Sequence, residues 1–295
     1  MNGRMIVYVL GRVMLICGVL MLLPLLVVFL YQEKTAVSFI IPIVVLIGGG
    51  FGISFRRPSN RRIYTREGFF IVAMSWVILS AFGALPFWIS GEIPNYLDAF
   101  FETVSGFTTT GASILPNAEA LSQGMLFWRS FTHWVGGMGV LVFVMAVLPR
   151  SEAEPQSMYI LRAESPGPQV GKLVSKMRLT ARILYGIYLG LTLVEFILLV
   201  IGGMPVFDSI LTAFSTAGTG GFGIKVESIA YYGSAYIDIV VGVFMVLFGI
   251  NFNVFFLLLA GEFFQAFRCQ EVRWYLGIIG AATLLIAADI YHIYG

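Results

Sequence analysis

The sequence predicts an all-α protein that crosses a membrane several times, and three observations lead to this fold class. Of the 295 residues 58% are hydrophobic and 12% are charged, about half of the roughly 25% charged residues that soluble domains carry. Seven stretches are apolar over a length that can span a bilayer. Two further stretches share a semi-apolar pattern that ends in threonine and glycine. This composition excludes a disordered chain, and two cysteines are too few for a disulfide scaffold.

The seven apolar stretches are the predicted membrane-spanning helices. They cover residues 5–30, 36–55, 68–90, 124–148, 183–203, 236–264 and 274–294. A helix needs about 20 apolar residues to cross the hydrocarbon core. The first stretch exceeds the apolar region of a cleavable signal peptide, which is about 7–15 residues long. Pro24, Pro42 and Pro86 lie within or near these stretches and are expected to kink the helices.

The basic residues predict an orientation with the N-terminus in the cytoplasm. Fourteen of the 18 lysines and arginines then face inside, and only Lys34, Arg129 and Lys225 face outside. The outer side carries eight acidic residues, Glu33, Glu92, Asp98, Glu102, Glu119, Asp208, Glu227 and Asp238. This excess of acid is expected to concentrate cations at an outer mouth. We expect Arg129 to pair with one of these acids, such as Glu119 or Asp98.

Residues 95–113 and 204–221 are predicted to be re-entrant segments. Each is long enough for a short helix and a loop, and its end is too polar to cross lipid. Such a segment is tolerated where protein or a water-filled cavity surrounds it. The orientation places both segments on the outer side. Asp98 and Asp208 are predicted to cap the N-termini of the two short helices.

A shift of the sequence by 110 residues reveals an internal repeat. It aligns Asp98 with Asp208, Ser105 with Ser215, Thr109 with Thr219, and Gly111 with Gly221, without a gap. The predicted organisation is two leading helices (1–66), a first helix–pore loop–helix unit (67–149), a cytoplasmic linker (150–176), a second unit (177–266) and the first helix of an incomplete third unit (267–295). The expected architecture is potassium-channel-like, with two complete units and the start of a third.

The loops that end the two re-entrant segments predict a cation filter. Loop A comprises residues 108–113 (TTTGAS) and loop B residues 218–223 (GTGGFG). A filter lined by backbone carbonyls needs residues with φ > 0, which glycine adopts without steric cost. The short helix before each loop points the negative end of its dipole toward the ion. Small residues also pack helices together in membranes, but packing explains poorly why the pattern occurs twice in register.

Three segments resemble the Trk/Ktr/HKT cation transporter superfamily, and specifically its TrkH-type potassium uptake subunits. Residues 98–113 (DAFFETVSGFTTTGAS) resemble the first pore loop of that family. Residues 127–139 (FWRSFTHWVGGMG) are similar to the start of the helix that follows. Residues 213–222 (AFSTAGTGGF) look like the second pore loop, as a looser match. The resemblance extends over the whole chain, including the two leading helices.

The resemblance implies four helix–loop–helix units around one pore, with one key glycine in each filter segment. Gly111 and Gly221 match those glycines, although Gly220 is an alternative in loop B. The neighbouring filter residues are Thr109, Thr110, Thr219 and Gly220, and potassium is expected at Thr110, Gly111, Gly220 and Gly221. This chain holds two filter segments where the family has four. It is therefore expected to be the N-terminal part of a longer protein, or else two chains supply two segments each.

The resemblance also implies a biological setting. Family members conduct potassium, sometimes sodium, across the bacterial inner membrane. They resemble homodimers in contact with membrane lipid, regulated by a cytoplasmic nucleotide-binding subunit of TrkA type. Potassium is the transported substrate, and no cofactor is expected.

Two other functional classes are open to the sequence alone. A secondary transporter of another small solute would also use broken helices, but typically in inverted repeats, and here both units begin on the same side. An enzyme is not expected, because no nucleophile–base pair or metal motif is present, and a net charge of +2 is too small to indicate nucleic acid. Glu195 is either functional or a hydrogen-bonded structural acid. His133 is expected to be a packing or hydrogen-bonding residue.

Overall fold

The computed structural model describes residues 2–56, 58, 64–139 and 177–294, and within these ranges the regular structure is helical, without a β-strand. The α-helices are α1 (Gly3–Leu20), α2 (Leu22–Leu30), α3 (Ala36–Ser54), α4 (Thr65–Gly83), α5 (Leu85–Ser90), α6 (Tyr96–Phe107), α7 (Gln123–Gly137), α8 (Met177–Ile201), α9 (Val206–Ala217), α10 (Ala235–Gly249), α11 (Phe252–Leu259), α12 (Phe263–Arg268) and α13 (Gln270–Tyr294). The predicted cytoplasmic linker lies outside the described residues.

Five of the predicted spans are helical segments long and apolar enough to cross a membrane. They are Gly3–Leu30, Ala36–Ser54, Arg66–Ser90, Ala181–Ile201 and Gln270–His292. Of the predicted span 124–148, the structure describes residues 124–139, which α7 occupies up to Gly137. The last span, in α13, is exposed along its whole apolar window. The described part of the chain is therefore an all-α bundle with the dimensions of a multi-pass membrane protein.

The predicted span 236–264 is not one straight helix. Helices α10 and α11 meet at an angle of 91°. Ile250 adopts an extended backbone with φ −74° and ψ 140°, which ends α10. The Asn251 side chain then accepts a hydrogen bond from the Asn253 backbone N–H at 3.1 Å and begins α11. The span therefore turns where a local side-chain cap starts a new helix.

Two of the predicted spans, 5–30 and 68–90, are interrupted close to a proline, as the sequence predicts. Helix α1 ends at Leu20, four residues before Pro24, and α4 ends at Gly83, three residues before Pro86. Proline has no N–H to donate to the carbonyl four residues earlier, which weakens the helix at these points. Pro42 lies inside α3, which continues through it.

The leading helices pack closely through small residues. Helix α1 lies along α3 and also contacts α4. A Cβ atom placed on Gly50 would come within 2.7 Å of the Gly11 carbonyl oxygen, and one on Gly18 within 2.8 Å of Ile47. These glycines therefore permit a helix separation that larger side chains would prevent. A further anchor joins α7 to α4, because the Trp128 indole N–H donates to the Gly83 carbonyl at 2.8 Å.

The two short helices that precede the loops are equal in length. Helices α6 and α9 have 12 residues each, and their boundaries are displaced by the same 110 positions as the sequence repeat. The prediction that Asp98 and Asp208 cap these helices is wrong. Asn95 is the N-cap of α6, where its side chain accepts from the Leu97 N–H at 3.0 Å, and Pro205 precedes α9.

Both aspartates instead lie in the first turn of their helix. The chain enters each helix three residues before the aspartate, so the capping position is already occupied. A carboxylate in the first turn still interacts favourably with the positive end of the helix dipole.

Candidate ion-binding loops

Loops A and B adopt the same unusual backbone conformation. In loop A, Thr109 has φ 55° and Gly111 has φ 77°. In loop B, Thr219 has φ 59° and Gly221 has φ 65°. The residue between each pair is not left-handed. The sign of φ therefore alternates over three residues in both loops, and such alternation can turn successive carbonyls toward one side of the chain.

The left-handed threonines were not anticipated from the sequence, which assigned this conformation to glycine alone. A β-branched residue at positive φ is a genuine outlier. Such strain costs on the order of 1–3 kcal/mol and is found at ligand clamps and active sites. The structure places one such residue at the same point of each loop, Thr109 and Thr219. In loop B, Gly221 rather than Gly220 shares the conformation of Gly111, as the gap-free shift of 110 predicts.

The two loops meet backbone to backbone. A Cβ atom on Gly111 would collide with the Gly220 carbonyl, and one on Gly220 would lie 2.7 Å from the Thr109 carbonyl oxygen. A Cβ on Gly221 has more room, with the Met245 side chain at 3.9 Å as its neighbour. The structure thus brings three predicted filter residues, Thr109, Gly111 and Gly220, into contact, and the two glycines touch only because neither has a side chain.

Helix α7 holds loop B in place through His133. The Gly220 backbone N–H donates to His133 Nε2 at 3.1 Å, so Nε2 carries no proton and the ring is neutral with its hydrogen on Nδ1. The imidazole also stacks on Phe222, with 5.1 Å between ring centroids and 23° between planes. A Cβ on Gly218 would collide with the same ring. The predicted packing and hydrogen-bonding role of His133 agrees with these contacts.

A buried ion pair lies beside both loops. Arg129 Nε of α7 donates to Glu102 Oε1 of α6 at 2.7 Å, and the two side chains are 3% and 0% exposed. Arg129 thus pairs with one of the predicted outer acids, as expected, but this acid is Glu102 rather than Glu119 or Asp98. Helices α6 and α7 pack against each other, and this packing brings together two residues 27 positions apart that no sequence pattern links. Because Glu102 is buried and paired with Arg129, it is not one of the outer acids that could attract cations from solution.

Several other predicted outer acids have structural partners. Glu33 accepts from the Gln123 and Gly124 N–H groups at 2.6 and 3.1 Å. Glu92 accepts from the backbone and hydroxyl of Ser122 at 2.8 and 2.7 Å. Together these two carboxylates satisfy free N–H groups at the start of α7. Glu33 and Glu92 therefore hold the N-terminal end of α7 in place.

Asp208 and Glu119 lie near Lys225, two residues after loop B. Lys225 Nζ is 4.0 Å from Asp208 Oδ2 and 3.8 Å from Glu119 Oε2. The Tyr232 hydroxyl donates to Asp208 at 2.8 Å. Burial first, and then this carboxylate, raise the pKa of Tyr232 well above its ordinary value. The tyrosine is therefore a stable hydrogen-bond donor in the segment between loop B and α10.

Glu195 is fully buried on α8. It lies near Thr216 of α9, whose hydroxyl donates to the Thr212 carbonyl at 2.9 Å. A cavity of about 110 Å³ is lined by Thr216, Gly221 and Met245 among others. Neither carboxylate oxygen of Glu195 has a hydrogen-bond partner among the described residues, so this part of the structure does not supply the bonds that the structural interpretation requires.

The fold and the loops together define a polytopic all-α membrane protein of the transport type. The family described as "TrkH: Cation transport protein" matches residues 34–280, and the chain belongs to that family. The resemblance drawn from the pore-loop segments is thereby confirmed.

The likeness to curated proteins covers more of this chain than the family match over residues 34–280 does. The chain is 32% identical over 295 residues to "Trk system potassium uptake protein TrkG" of Escherichia coli K12, covering 98% of this chain and 60% of that protein. It is 35% identical over 283 residues to "Trk system potassium uptake protein TrkH" of Salmonella typhimurium, covering 94% and 58%. The chain thus spans about three fifths of the length of these curated relatives.

A solved structure shares the fold. The crystal structure of the potassium transporter TrkH from Vibrio parahaemolyticus superposes with a TM-score of 0.76 at 31% sequence identity. The match covers 98% of this chain and 58% of that chain. The predicted all-α membrane fold is confirmed by this likeness.

Proposed function

We propose that this chain takes part in the translocation of potassium across the bacterial inner membrane. The observation that carries the proposal is the matched geometry of loops A and B, in which Thr109 and Gly111 share the left-handed backbone of Thr219 and Gly221. Relatives at 32–35% identity carry the name of potassium uptake proteins. The potassium-specific name of these relatives favours potassium over sodium.

Loops A and B would supply two segments of a carbonyl-lined filter. A potassium ion loses water when it enters, and carbonyl oxygens at Thr110, Gly111, Gly220 and Gly221 would replace that water. Threonine hydroxyls at 109 and 219 would lie next to these positions. The C-terminal ends of α6 and α9 point their partial negative charge at the loops, which favours a cation without a fixed carboxylate.

The proposed assembly follows the family. A homodimer would bring two copies together in the membrane, and a cytoplasmic nucleotide-binding subunit of TrkA type would regulate transport. The bias of basic residues supports an N-terminus in the cytoplasm. The name "Trk system" of the relatives points to several components acting together.

Rubidium uptake by cells that lack their own potassium systems tests the proposal. The full gene product would be expressed beside a Gly111→Asp variant, with the amount of folded membrane protein measured for both. Uptake by the wild type that the variant loses is the expected result. Equal uptake and equal selectivity in the two proteins would remove loop A from the filter. Saturable uptake of an organic solute at a rate that does not depend on potassium would favour a secondary transporter instead.

A further inference from the structure

We infer that the buried ion pair Glu102–Arg129 sets the position of loop A relative to loop B, and through it the choice between cations. The pair touches neither the predicted ion positions nor solvent, so both members are positioning residues. This inference rests on the proposed function and goes beyond it by assigning selectivity to a pair outside the filter.

Glu102 fastens the exit of loop A. Its Oε1 accepts from Arg129 Nε at 2.7 Å and from the Ser113 hydroxyl at 2.9 Å. Its Oε2 accepts from the Ile114 backbone N–H at 2.9 Å. Both oxygens are therefore engaged, and one of them holds the backbone directly after loop A.

Arg129, the other member of the pair, holds loop B in place. Its Nη1 donates to the Gly223 carbonyl at 2.7 Å. Its guanidinium carbon lies 3.4 Å from the centroid of the Phe222 ring. A planar, always-charged group can stack on a ring and donate at its edge at the same time. One side chain thus connects loop B to the carboxylate that holds loop A.

His133 completes the contact four residues further along α7. Residues four apart lie on the same face of a helix, so Arg129 and His133 both face loop B. The Phe222 ring contacts both the guanidinium and the imidazole, and His133 also accepts the Gly220 N–H. Three residues of loop B, namely Gly220, Phe222 and Gly223, are therefore attached to α7. Helix α7 is in turn attached to loop A through Glu102.

The pair occurs at this junction, and the second unit does not repeat it at the corresponding positions. A shift of 110 places Thr212 at the position of Glu102. Helix α10 begins 112 residues after α7, which places Val241 at the position of Arg129. Neither charge recurs, so the ion pair is specific to the contact between loops A and B rather than a general feature of the repeated pattern.

Selectivity is the property that this arrangement would control. A filter discriminates cations through the number and spacing of its oxygens. The ion pair is neutral overall, so its effect on an ion is through geometry rather than net charge. Loosening one end would change the distance between the loops while the helices stay packed.

Two conservative substitutions separate the two ends. Glu102→Gln keeps the volume but has a single acceptor oxygen, so it cannot serve both Arg129 and Ile114. Arg129→Lys keeps the charge but cannot stack on Phe222 and reach both partners through a planar fork. Glu33→Gln is the matched control, because Glu33 also accepts backbone N–H groups on α7 but contacts neither loop.

The measurement is the ratio of rubidium to sodium uptake in cells expressing the full gene product, with folded membrane protein quantified in parallel. This ratio does not depend on the amount of protein. We expect it to fall by at least about threefold in Glu102→Gln and in Arg129→Lys, and to stay at the wild-type value in Glu33→Gln. The double variant should fall no further than the more affected single variant, because both changes break one connection.

Each outcome decides a different question. A wild-type chain without cation uptake would overturn the proposed function itself. Wild-type uptake with unchanged ratios in both variants would overturn the present inference alone, even if total uptake fell. Loss of folded protein in both variants would assign the pair to folding and would also overturn it. A fall in the Glu33→Gln control equal to that of the variants would show that the effect is not specific to the pair.

Discussion

The imidazole of His133 accepts the backbone N–H of Gly220 at 3.1 Å, so a helix that follows loop A holds the middle of loop B. This contact crosses 87 residues of sequence. It requires glycine at 218 and 220, because a Cβ at either position would collide with the ring. The position of loop B therefore depends on a side chain from the preceding helix–loop–helix segment.

Replacing His133 tests this dependence. His133→Ala would leave the Gly220 N–H without its acceptor and remove the ring that packs on Phe222. We expect the free energy of unfolding to fall by about 1–3 kcal/mol and rubidium uptake to fall with it. His133→Gln offers an amide oxygen as acceptor and should recover part of both. Thermal unfolding in detergent and uptake assays measure the two effects; equal losses in Ala and Gln would argue against the hydrogen bond.

The glycines of the loops should differ in their tolerance of alanine. Gly111→Ala meets both a positive φ of 77° and a collision with the Gly220 carbonyl. Gly221→Ala meets a φ of 65° but has open space, and the left-handed conformation alone costs about 1–2 kcal/mol. We therefore expect uptake to be abolished in Gly111→Ala and reduced in Gly221→Ala.

Gly48→Ala is the control for this series. Gly48 lies in α3 with helical backbone, and a Cβ there meets nothing within 4 Å. Uptake should stay at the wild-type level. A Gly111→Ala protein as active as Gly48→Ala would contradict the close approach of the two loops.

The Trp128 anchor between α7 and α4 predicts a purely structural effect. Trp128→Phe removes the indole N–H and leaves the buried Gly83 carbonyl without this donor. The expected loss of stability is about 1–3 kcal/mol, measured by thermal unfolding. The rubidium-to-sodium ratio should not change, because the Trp128 indole packs on Phe107 and Phe131 and its N–H bonds to Gly83, so phenylalanine keeps the ring packing and leaves the hydrogen bonds of the Glu102–Arg129 pair in place. A changed ratio would mean that α4 also influences the filter.

Tyr232 predicts a dependence of stability on alkaline pH. Burial and the hydrogen bond to Asp208 raise its pKa in the folded protein above the ordinary value of 10.0. Above that pH the unfolded chain releases the tyrosine proton while the folded chain retains it, so stability falls as pH rises. Tyr232→Phe should flatten this fall between about pH 9 and 11, as followed by thermal unfolding. An identical slope in wild type and variant would contradict the assignment.

The fold was largely predictable because the bilayer imposes a length and a hydropathy on each helix. Five predicted spans agree with the helices that could cross a membrane. The break between α10 and α11 was missed, because the stretch stays apolar on average although Asn251 and Asn253 are polar, and the Asn251 cap that starts α11 is a local feature. The predicted N-caps, Asp98 and Asp208, lie three residues after the true ones, Asn95 and Pro205. The sequence did not show at which residue the chain enters each helix.

The sequence singled out the two loops of the candidate site, but not the side chains that hold these loops in place. Threonine and glycine at 109–111 and 219–221 repeat in the sequence, and the structure brings these segments into contact. Nothing in the spacing of Glu102 and Arg129 indicated that they pair, because charge pairing across two helices depends on how those helices pack. The positive φ at Thr109 and Thr219 was missed for a related reason, since threonine adopts it only when surrounding contacts enforce it.

The sequence by itself determined that this is an all-α membrane protein of the TrkH family with two equivalent loops, because hydropathy, charge bias and repetition are local properties of the chain. The tertiary structure decided which groups hold those loops. The buried pair of Glu102 and Arg129, the His133–Gly220 hydrogen bond and the contact of Gly111 with Gly220 all join residues distant in sequence. Such contacts arise only when helices pack, since packing determines which buried polar groups find partners.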